Sequence, residues 1–341
     1  MKDKILVGLS GGVDSALTAA LLQSQGYEVE GIYCIMHDAD PAGLNDAEAV
    51  AEQLKIRLHV ADLRKDFESV VVSDFLDCYA NARTPNPCIV CNPAVKFRGI
   101  LAKADELGIK KIATGHYATV ASEAGRYFVR AAMQKDQSYM LYRLEQEQLK
   151  RIVFPLYNTE KGENRRLAQE LGIPVSDKPD SQEICFIRDE AYTDFIERRL
   201  GKFPEGDFFL EDEDRIVGTH KGLVHYTVGQ RKNLGIALGT PVYVTRLDSE
   251  KNRVVLSRTD VVNCTELTVE KPVYQKLDPS VREFSAEAKI RFSSKTAPCR
   301  VSVDGDLLHV RFETPQRAAT PGQSAVFYDG TDLLCGGFIK A

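Results

Sequence analysis

The fold is decided by one stretch, Gly8-Leu9-Ser10-Gly11-Gly12-Val13-Asp14-Ser15. The residues before it, Lys4-Ile5-Leu6-Val7, are branched and apolar, as in a buried strand of a parallel sheet, and Ala16 to Gln25 reads as a helix ending at Gly26. The glycines therefore fall in a strand-to-helix turn. There the backbone N–H groups of Gly11, Gly12 and Val13, the Ser10 and Ser15 hydroxyls and the positive end of the helix can converge on a phosphate. No Lys follows the second glycine, so this is not the Walker A loop that grips β- and γ-phosphates.

The run Ser10 to Ser15 resembles the PP-loop, Ser-Gly-Gly-x-Asp-Ser, of enzymes that cleave ATP between the α- and β-phosphates and pass AMP to an oxygen. That resemblance implies that Gly8 to Ser15 bind ATP, that Ser10 to Ser15 hold the departing pyrophosphate, and that Asp14 helps to place Mg²⁺.

Composition agrees with a globular enzyme. The 341 residues suggest two or three domains, and 43% hydrophobic content supplies a sizeable core. Met1-Lys2-Asp3-Lys4 runs straight into the first strand, and no apolar run approaches a membrane span, so a cytoplasmic protein without membrane contact is expected. Eight cysteines are too sparse for a disulfide scaffold and point instead to catalysis or metal binding. The net charge of −5 arises in the first hundred residues, while the rest is balanced. A nucleic-acid partner would have to be held by local basic patches.

Tyr27 to Met36 reads as a second buried strand whose end lies beside the phosphate loop in an open parallel sheet. Asn45 to Leu54 reads as a helix opened by an Asn45/Glu48 capping box, Arg57 to Ala61 as a strand and Phe67 to Tyr79 as a helix. This βαβα order predicts a doubly wound α/β sheet. Arg83 to Pro93 carries three prolines within nine residues, which predicts a stiff, non-helical loop presenting Cys88 and Cys91. A helix over Phe97 to Leu107 and a strand over Ile109 to Ala113 then place Thr114-Gly115-His116-Tyr117 at a strand end, where ligands collect.

Tyr117 to Arg130 reads as a hairpin turning at Glu123-Ala124-Gly125, and Lys135-Asp136-Gln137 opens a helical stretch. Glu160 to Leu171 forms a helix stopped by Gly172 and Pro174, Asp180 to Ile187 is extended and presents Cys185, and Glu190 to Leu200 is helical. Lys150, Arg151, Arg165, Arg166, Arg198 and Arg199 could track phosphates or could line solvated helix faces. Beyond Gly201 the chain reads as β. Val217 to Val228, Pro241 to Leu247 and Arg253 to Ser257 alternate, Gly229 to Gly235 is a basic loop, and from about Val261 a closed antiparallel β-barrel is expected. The expected domains are 1–200 (PP-loop), 201–260 (linking) and 261–341 (barrel).

Six ordered motifs extend the resemblance. Ser-Gly-Gly-Val-Asp-Ser, Thr-Pro-Asn-Pro-x-x-x-Cys-Asn, Ala113-Thr-Gly-His-Tyr117, Lys135-Asp-Gln-Ser-Tyr139, Ile184-Cys-Phe-Ile187 and Gly229-Gln-Arg-Lys232 occur here in the order found in the bacterial tRNA-specific 2-thiouridylases, with Thr320-Pro-Gly-Gln-Ser324 as a late match. Those enzymes place sulfur on the wobble uridine of the tRNAs for Lys, Glu and Gln. The resemblance implies that Met36 and Gly115 contact ATP. It implies tRNA contacts at Asn86, Pro87, Cys88, His116, Lys135, Asp136, Gln137, Arg291, Phe292 and Gln323. It also implies a monomer served by a sulfur donor, whether a persulfide carrier, a cysteine desulfurase or hydrosulfide.

In the usual family mechanism the cysteine matching Cys185 carries a persulfide, and the one matching Cys91 frees the sulfur by forming a disulfide. This chain departs from the common pattern. Where many members have Pro-Asp-x-x-Cys, it has Pro87-Cys88-Ile89-Val90-Cys91, so the usual acid/base carboxylate is missing. A Cys-x-x-Cys pair with Cys185 as third ligand suits a 4Fe-4S cluster with one open iron, as in related three-cysteine PP-loop thiolases. A zinc site completed by a ligand such as His116, a Cys88–Cys91 redox disulfide and plain persulfide chemistry are the alternatives. Cys34, Cys78, Cys264, Cys299 and Cys335 read as core residues. Two other functions fit parts of the sequence: a PP-loop ligase or amidotransferase acting on a small molecule, and a non-enzymatic RNA-binding or thiol-redox sensor.

Overall fold

The computed structural model describes residues 3–38, 41–159, 161–173, 184–258 and 263–340. The chain runs β1 (Lys4–Gly8), α1 (Val13–Ser24), β2 (Glu28–Ile35), α2 (Pro41–Leu54), β3 (Leu58–Asp62) and, after two helical stretches, β4 (Lys111–Ala113). A hairpin, β5 (Ala118–Glu123) and β6 (Arg126–Ala131), then leaves this layer before β7 (Ile152–Val153) rejoins it. The sheet order is β3-β2-β1-β4-β7, all parallel.

Alternation along β1 explains why it is central. Ile5 and Val7 pack with Ala16, Ala19 and Val50 beneath α1 and α2, while Leu6 packs with Phe97 and Ile100 of the helix Phe97–Glu106 on the other face. Both faces are thus covered, as a parallel sheet requires. From β1 the chain moves outward to β2 and β3 and returns on the other side as β4. The crevice beyond the ends of β1 and β4 is the topological switch point, where such sheets bind ligands.

Four local expectations are corrected. First, α2 begins at Pro41, so Asn45 and Glu48 lie inside the helix and form no capping box there; proline at a first helical position loses no hydrogen bond. Second, the proline-rich Arg83–Pro93 stretch is not helix-free. Pro87–Cys91 is an α-turn with Pro87 in its first positions, followed by a π-helical segment, Asn92–Lys96, with Pro93 near its start. Third, Ile184 to Ile187 forms a turn, closed by the Ile187 N–H on the Ile184 carbonyl, in place of an extended segment; Pro174 and residues 180–183 lie outside the described residues. Fourth, Cys34 and Cys264 are only partly buried, whereas Cys78, Cys299 and Cys335 are core residues.

The next unit contains β8 (Gly206–Leu210), β9 (Arg215–His220), β10 (Tyr243–Asp248) and β11 (Arg253–Ser257) in the order β10-β11-β8-β9. The strand expected to continue to Val228 ends at His220. Val224, Tyr226 and Val228 are buried in turns, and this keeps the apolar alternation going without strand pairing. The barrel follows as β12 (Asn263–Tyr274), β13 (Glu283–Lys289), β14 (Ala297–Asp304), β15 (Leu307–Arg317), β16 (Ser324–Asp329) and β17 (Asp332–Ile339); its start near Val261 lies outside the described residues. The order β12-β15-β14-β13-β16-β17 closes through β12–β17 pairing and removes the exposed edge.

The barrel is bolted to the nucleotide sheet. β17 also pairs with β6 at Asp332 and Arg130, where the Arg130 Nε donates to Asp332 Oδ1 at 2.5 Å. Fully buried Gln275 is the chief fastener. Its amide donates to the carbonyls of Leu141, Tyr142 and Leu144 at 3.0, 3.0 and 3.2 Å and accepts from the Val129 N–H at 2.8 Å. Gly336 permits the contact, because a Cβ there would stand 2.7 Å from the Tyr142 ring. Gln275→Ala would strip the partner from one buried N–H and three carbonyls, so a loss of about 3 kcal/mol or more is expected, read as a lower urea midpoint. An unchanged midpoint would show that these bonds do not hold the two units together.

Candidate active site between the phosphate loop and the cysteine turn

At the switch point lies a crevice of about 330 Å³, a volume within the range of ligand pockets. Gly8, Leu9, Ser10, Asp14 and Ser15 form one wall, Ile32, Tyr33, Cys34 and Met36 a second, and Thr114, Gly115, His116 and Gln137 a third, with Lys96 and Ile100 closing it. The phosphate loop is shaped from within. The Ser15 hydroxyl donates to the Gly12 carbonyl at 2.8 Å and accepts from the Ser10 N–H at 3.1 Å. The first-turn N–H groups of α1 have no carbonyl behind them in the helix and point toward the crevice end.

Asp14 is oriented from two elements beyond the loop. The Tyr117 hydroxyl donates to its carboxylate at 2.7 Å, and buried Asn164, on the helix Lys161–Glu170, donates to the same Tyr117 oxygen at 3.0 Å. Gly115 passes so close that a Cβ would lie 2.8 Å from the Asp14 carbonyl carbon and 3.0 Å from the Ser15 nitrogen. Both obstacles are backbone, which cannot swing aside.

His116 stands at the end of β4 with its Nδ1 2.8 Å from the Thr114 hydroxyl and its ring between Phe97 and Phe154. Burial, followed by the nearby Lys96 charge, pushes its pKa down to about 3, so the ring is uncharged at neutral pH.

The cysteine turn is clamped from several sides. Thr84 N–H donates to the Pro321 carbonyl at 2.8 Å, and the Gln323 amide donates to the carbonyls of Thr84 and Pro85 at 3.0 and 3.3 Å. Asn92 donates to the Met140 carbonyl at 2.9 Å and Gln148 to that of Pro93 at 2.9 Å. Cys88 and Cys91, three apart, share a helical face, with Cys88 exposed and Cys91 buried. All eight cysteines are free thiols.

Cys185 is an exposed residue of its turn; partial desolvation, with the Cys88 and Cys91 thiols next, raises its thiol above the ordinary range, while Lys96 pulls it down. Cys91 is likewise raised by burial and lowered by Lys96. Ile184 and Phe186, on either side of Cys185, pack against the cluster that contains Cys91, so the Cys185 turn lies against the cysteine turn. Among the described residues, however, no three His, Cys, Asp or Glu side chains are grouped as metal ligands, so the expected ligand set for iron or zinc is not assembled.

The remaining expected contact residues divide. Gln137 is tied to the Tyr117 backbone by its N–H and side chain, both at 3.0 Å, and faces the crevice. Asp136 caps Ser138 at 2.8 Å and lies 3.9 Å from Lys289, beside Lys135, whose φ is +50°. Phe292 is 42% exposed, and the Lys289 ammonium lies 5.5 Å from its ring centre. Arg291 is turned inward. It donates to the Ala318 carbonyl at 2.5 Å, the Thr320 hydroxyl at 2.9 Å and the Val228 carbonyl at 3.5 Å. Asn86 occupies the position before the cysteine turn, its side-chain amide directed to the Met140 sulfur at 3.4 Å and not to the turn's backbone, and Pro87 opens the turn.

Most of the basic residues considered for phosphate tracking are paired: Lys150 with Glu147, Arg151 with Asp105, Arg166 with Glu170, Arg198 with Glu190 and Arg199 with Glu68. The Arg165 side chain lies outside the described ones. The sequence reading does not assign Lys96 or Cys34 to the crevice, or Asn164 to the support of Asp14. Lys96 lies between the stretch read as a loop and the helix read from Phe97; the π-helical segment that ends on it links the two. Tyr117 and Asn164 meet Asp14 across long sequence separations.

Fold and site together define an α/β nucleotide-binding enzyme with a lysine-free phosphate loop and thiols nearby. Family models agree. Residues 3–189 match "tRNA methyl transferase HUP domain", 193–258 "tRNA methyl transferase PRC-barrel domain" and 264–339 "Aminomethyltransferase beta-barrel domain". The tRNA-specific 2-thiouridylase MnmA of Acetivibrio thermocellus is 44% identical over 99% of this chain and 99% of its own, and that of Clostridioides difficile 37% over 100% and 99%. Among solved structures, a 4-thiouridine synthetase in complex with RNA and ATP aligns at 19% identity over 58% of this chain and 50% of that chain, with a TM-score of 0.39. The chain belongs to the tRNA-specific 2-thiouridylase family.

The geometry yields one immediate test. Gly115→Ala should lower nucleotide affinity by about tenfold or more, since the added methyl displaces the loop backbone; equilibrium binding of ATP checks this, and unaltered affinity would remove Gly115 from the site.

Proposed function

We propose that this protein is an ATP-dependent tRNA sulfurtransferase that makes 2-thiouridine at the wobble position of the Lys, Glu and Gln type tRNAs. The supporting observation is that the segment directly following the cysteine turn, Asn92–Lys96, ends on Lys96, which lines the phosphate-loop crevice, so the thiols and the loop are joined by a few residues. A methyl-transfer reading, suggested only by the words of the family models, leaves those thiols without a task. A small-molecule ligase leaves the barrel clamp on the cysteine turn unexplained.

Uracil O2 is a poor leaving group and must first be activated. O2 attacks the α-phosphorus, the bond to pyrophosphate breaks with its electron pair leaving on pyrophosphate, and N3 gives up its proton. Ser10 to Ser15 receive the pyrophosphate, and Met36 and Gly115 lie against the rest of the nucleotide. The Asp14 carboxylate, fixed by Tyr117 at the crevice wall, fits a Mg²⁺ ligand; the ion would offset phosphate charge there. Neutral His116 can exchange a hydrogen bond with the base or ribose without adding charge.

Sulfur then enters as a persulfide on Cys185. Its terminal sulfur attacks C2, and the C2–O bond breaks with its electrons leaving on AMP. The Cys91 thiolate next attacks the Cys185 sulfur, and the S–S bond breaks toward the sulfur on C2. A Cys91–Cys185 disulfide and 2-thiouridine result, and an external thiol resets the pair. Cys88 replaces the usual carboxylate, so no side-chain carboxylate is assigned the acid/base role. A 4Fe-4S cluster is the second reading, favoured by Cys88 and Cys91 on one helical face; with no ligand group assembled, no step is assigned to it. Base and phosphate contacts fall to the Lys135, Asp136, Gln137, Lys289 and Phe292 group at the junction of the nucleotide unit and the barrel, where an exposed aromatic beside cations suits an unstacked base.

Asp14→Ala should abolish tRNA-dependent AMP release with tRNA affinity nearly unchanged. Cys91→Ser and Cys185→Ser should retain single-turnover AMP release while losing 2-thiouridine, and protein purified without oxygen should be colourless and iron-free. Brown protein whose activity disappears with its iron would overturn the persulfide route in favour of the cluster. AMP release that needs no RNA would overturn the tRNA reaction itself.

A further inference from the structure

The phosphate loop has no lysine of its own, and the crevice obtains its cation from elsewhere. We propose that Lys96 is a catalytic residue of the adenylation step: its ammonium contacts the α-phosphate and neutralises the charge that builds there as O2 attacks and pyrophosphate leaves. This inference rests on the ATP-dependent reaction proposed above.

Three observations carry it. Lys96 lines the same crevice as Ser10, Asp14 and Ser15, and it is the sole lysine or arginine there among the described residues. The other basic group, His116, is held neutral by burial. A triphosphate entering this crevice therefore meets one full positive side-chain charge.

Second, that charge is not committed to an acid. Among the described residues Lys96 has no carboxylate within ion-pair distance; its ammonium donates to the Asn92 side-chain oxygen at 3.2 Å, and Asn92 is itself fixed on the Met140 carbonyl. A neutral tether orients an ammonium and leaves its charge available, whereas an ion pair would cancel it. Other basic residues near the protein surface are treated differently, as the pairing of Lys150, Arg151, Arg198 and Arg199 shows.

Third, the backbone is bent to deliver it. Lys96 is the last residue of the π-helical segment Asn92–Lys96, which joins the cysteine turn to the helix packed under β1. Wider turns of this kind recur at functional sites because they rotate a side chain off the regular helical face. Cys91 immediately precedes this segment and Lys96 ends it. Seating a phosphate on Lys96 thus fixes the geometry of the thiol that acts in the next step.

The test uses the full-length protein with tRNA and the two diastereomers of adenosine 5′-O-(1-thiotriphosphate), following pyrophosphate release in a single turnover. Wild type should favour one diastereomer, because a positioned cation distinguishes the two non-bridging α-oxygens. Lys96→Met should slow pyrophosphate release with ATP by about a hundredfold or more, in line with loss of one preorganised electrostatic contact. It should also lose most of the diastereomer preference, while tRNA affinity stays within a few fold. Lys96→Arg should recover part of the rate and retain a preference, and it serves as the second variant should Lys96→Met fold poorly. A Lys96→Met protein with a wild-type rate, a folded Lys96→Met protein that is slow but keeps the full wild-type preference, or a folded Lys96→Arg protein that binds ATP yet has lost the preference altogether would overturn the assignment. Failure of wild type to release pyrophosphate in the presence of tRNA would instead overturn the parent reaction.

Discussion

The structure depends on how closely two backbones can approach at the end of the central strands. Gly115, leaving β4, lies against the carbonyl of Asp14 and the nitrogen of Ser15 with no room for a side chain. That contact brings the phosphate loop, at the end of β1, and His116, at the end of β4, onto facing walls of one crevice. It also brings Tyr117 within 2.7 Å of the Asp14 carboxylate, so one close approach sets both the shape of the loop and the orientation of its acid. A wider separation would leave a glycine-rich turn able to bind an anion but without a partner wall to define where the reacting atom sits.

A second constraint is the clamp between the barrel and the cysteine turn. Pro321 and Gln323 hold the Thr84–Pro85 backbone, while Gln275 and the Arg130–Asp332 pair hold the barrel on the nucleotide unit. Polar contacts of this kind fix orientation because each has a defined direction, whereas apolar packing alone tolerates sliding. The cysteine turn is therefore positioned by the most distant part of the chain. This gives the barrel a task beyond covering surface: it helps to set the position of the turn that carries Cys88 and Cys91.

Much of this was legible in the sequence, for local reasons. The loop from Gly8 to Ser15 sits between an apolar strand and a helix, so its position at a sheet edge followed from periodicity, and the closed barrel followed from alternating segments with strong turns. What could not be read depended on context. Three prolines pointed to a stiff loop, yet Pro87 and Pro93 occupy early turns of helical segments where a missing N–H is tolerated. The apolar alternation from Val217 to Val228 reflected burial in turns as much as strand pairing. Lys96 falls between the stretch read as a loop and the helix read from Phe97, and only the π turn brings it to the crevice, while the polar ends of Arg291 and Gln323, which match surface contacts, are bonded to the protein's own backbone.

In the proposed reaction the uridine oxygen itself is adenylated at this crevice before sulfur arrives. Isotope tracing tests it most directly: tRNA carrying ¹⁸O at C2 of the wobble uridine is converted by the protein with unlabelled ATP, and the released AMP and pyrophosphate are analysed by mass spectrometry. The account predicts one ¹⁸O in each AMP, on its phosphorus, and none in pyrophosphate, in step with 2-thiouridine formed. Label that appears in water, or that stays in the RNA while AMP is released, would contradict it.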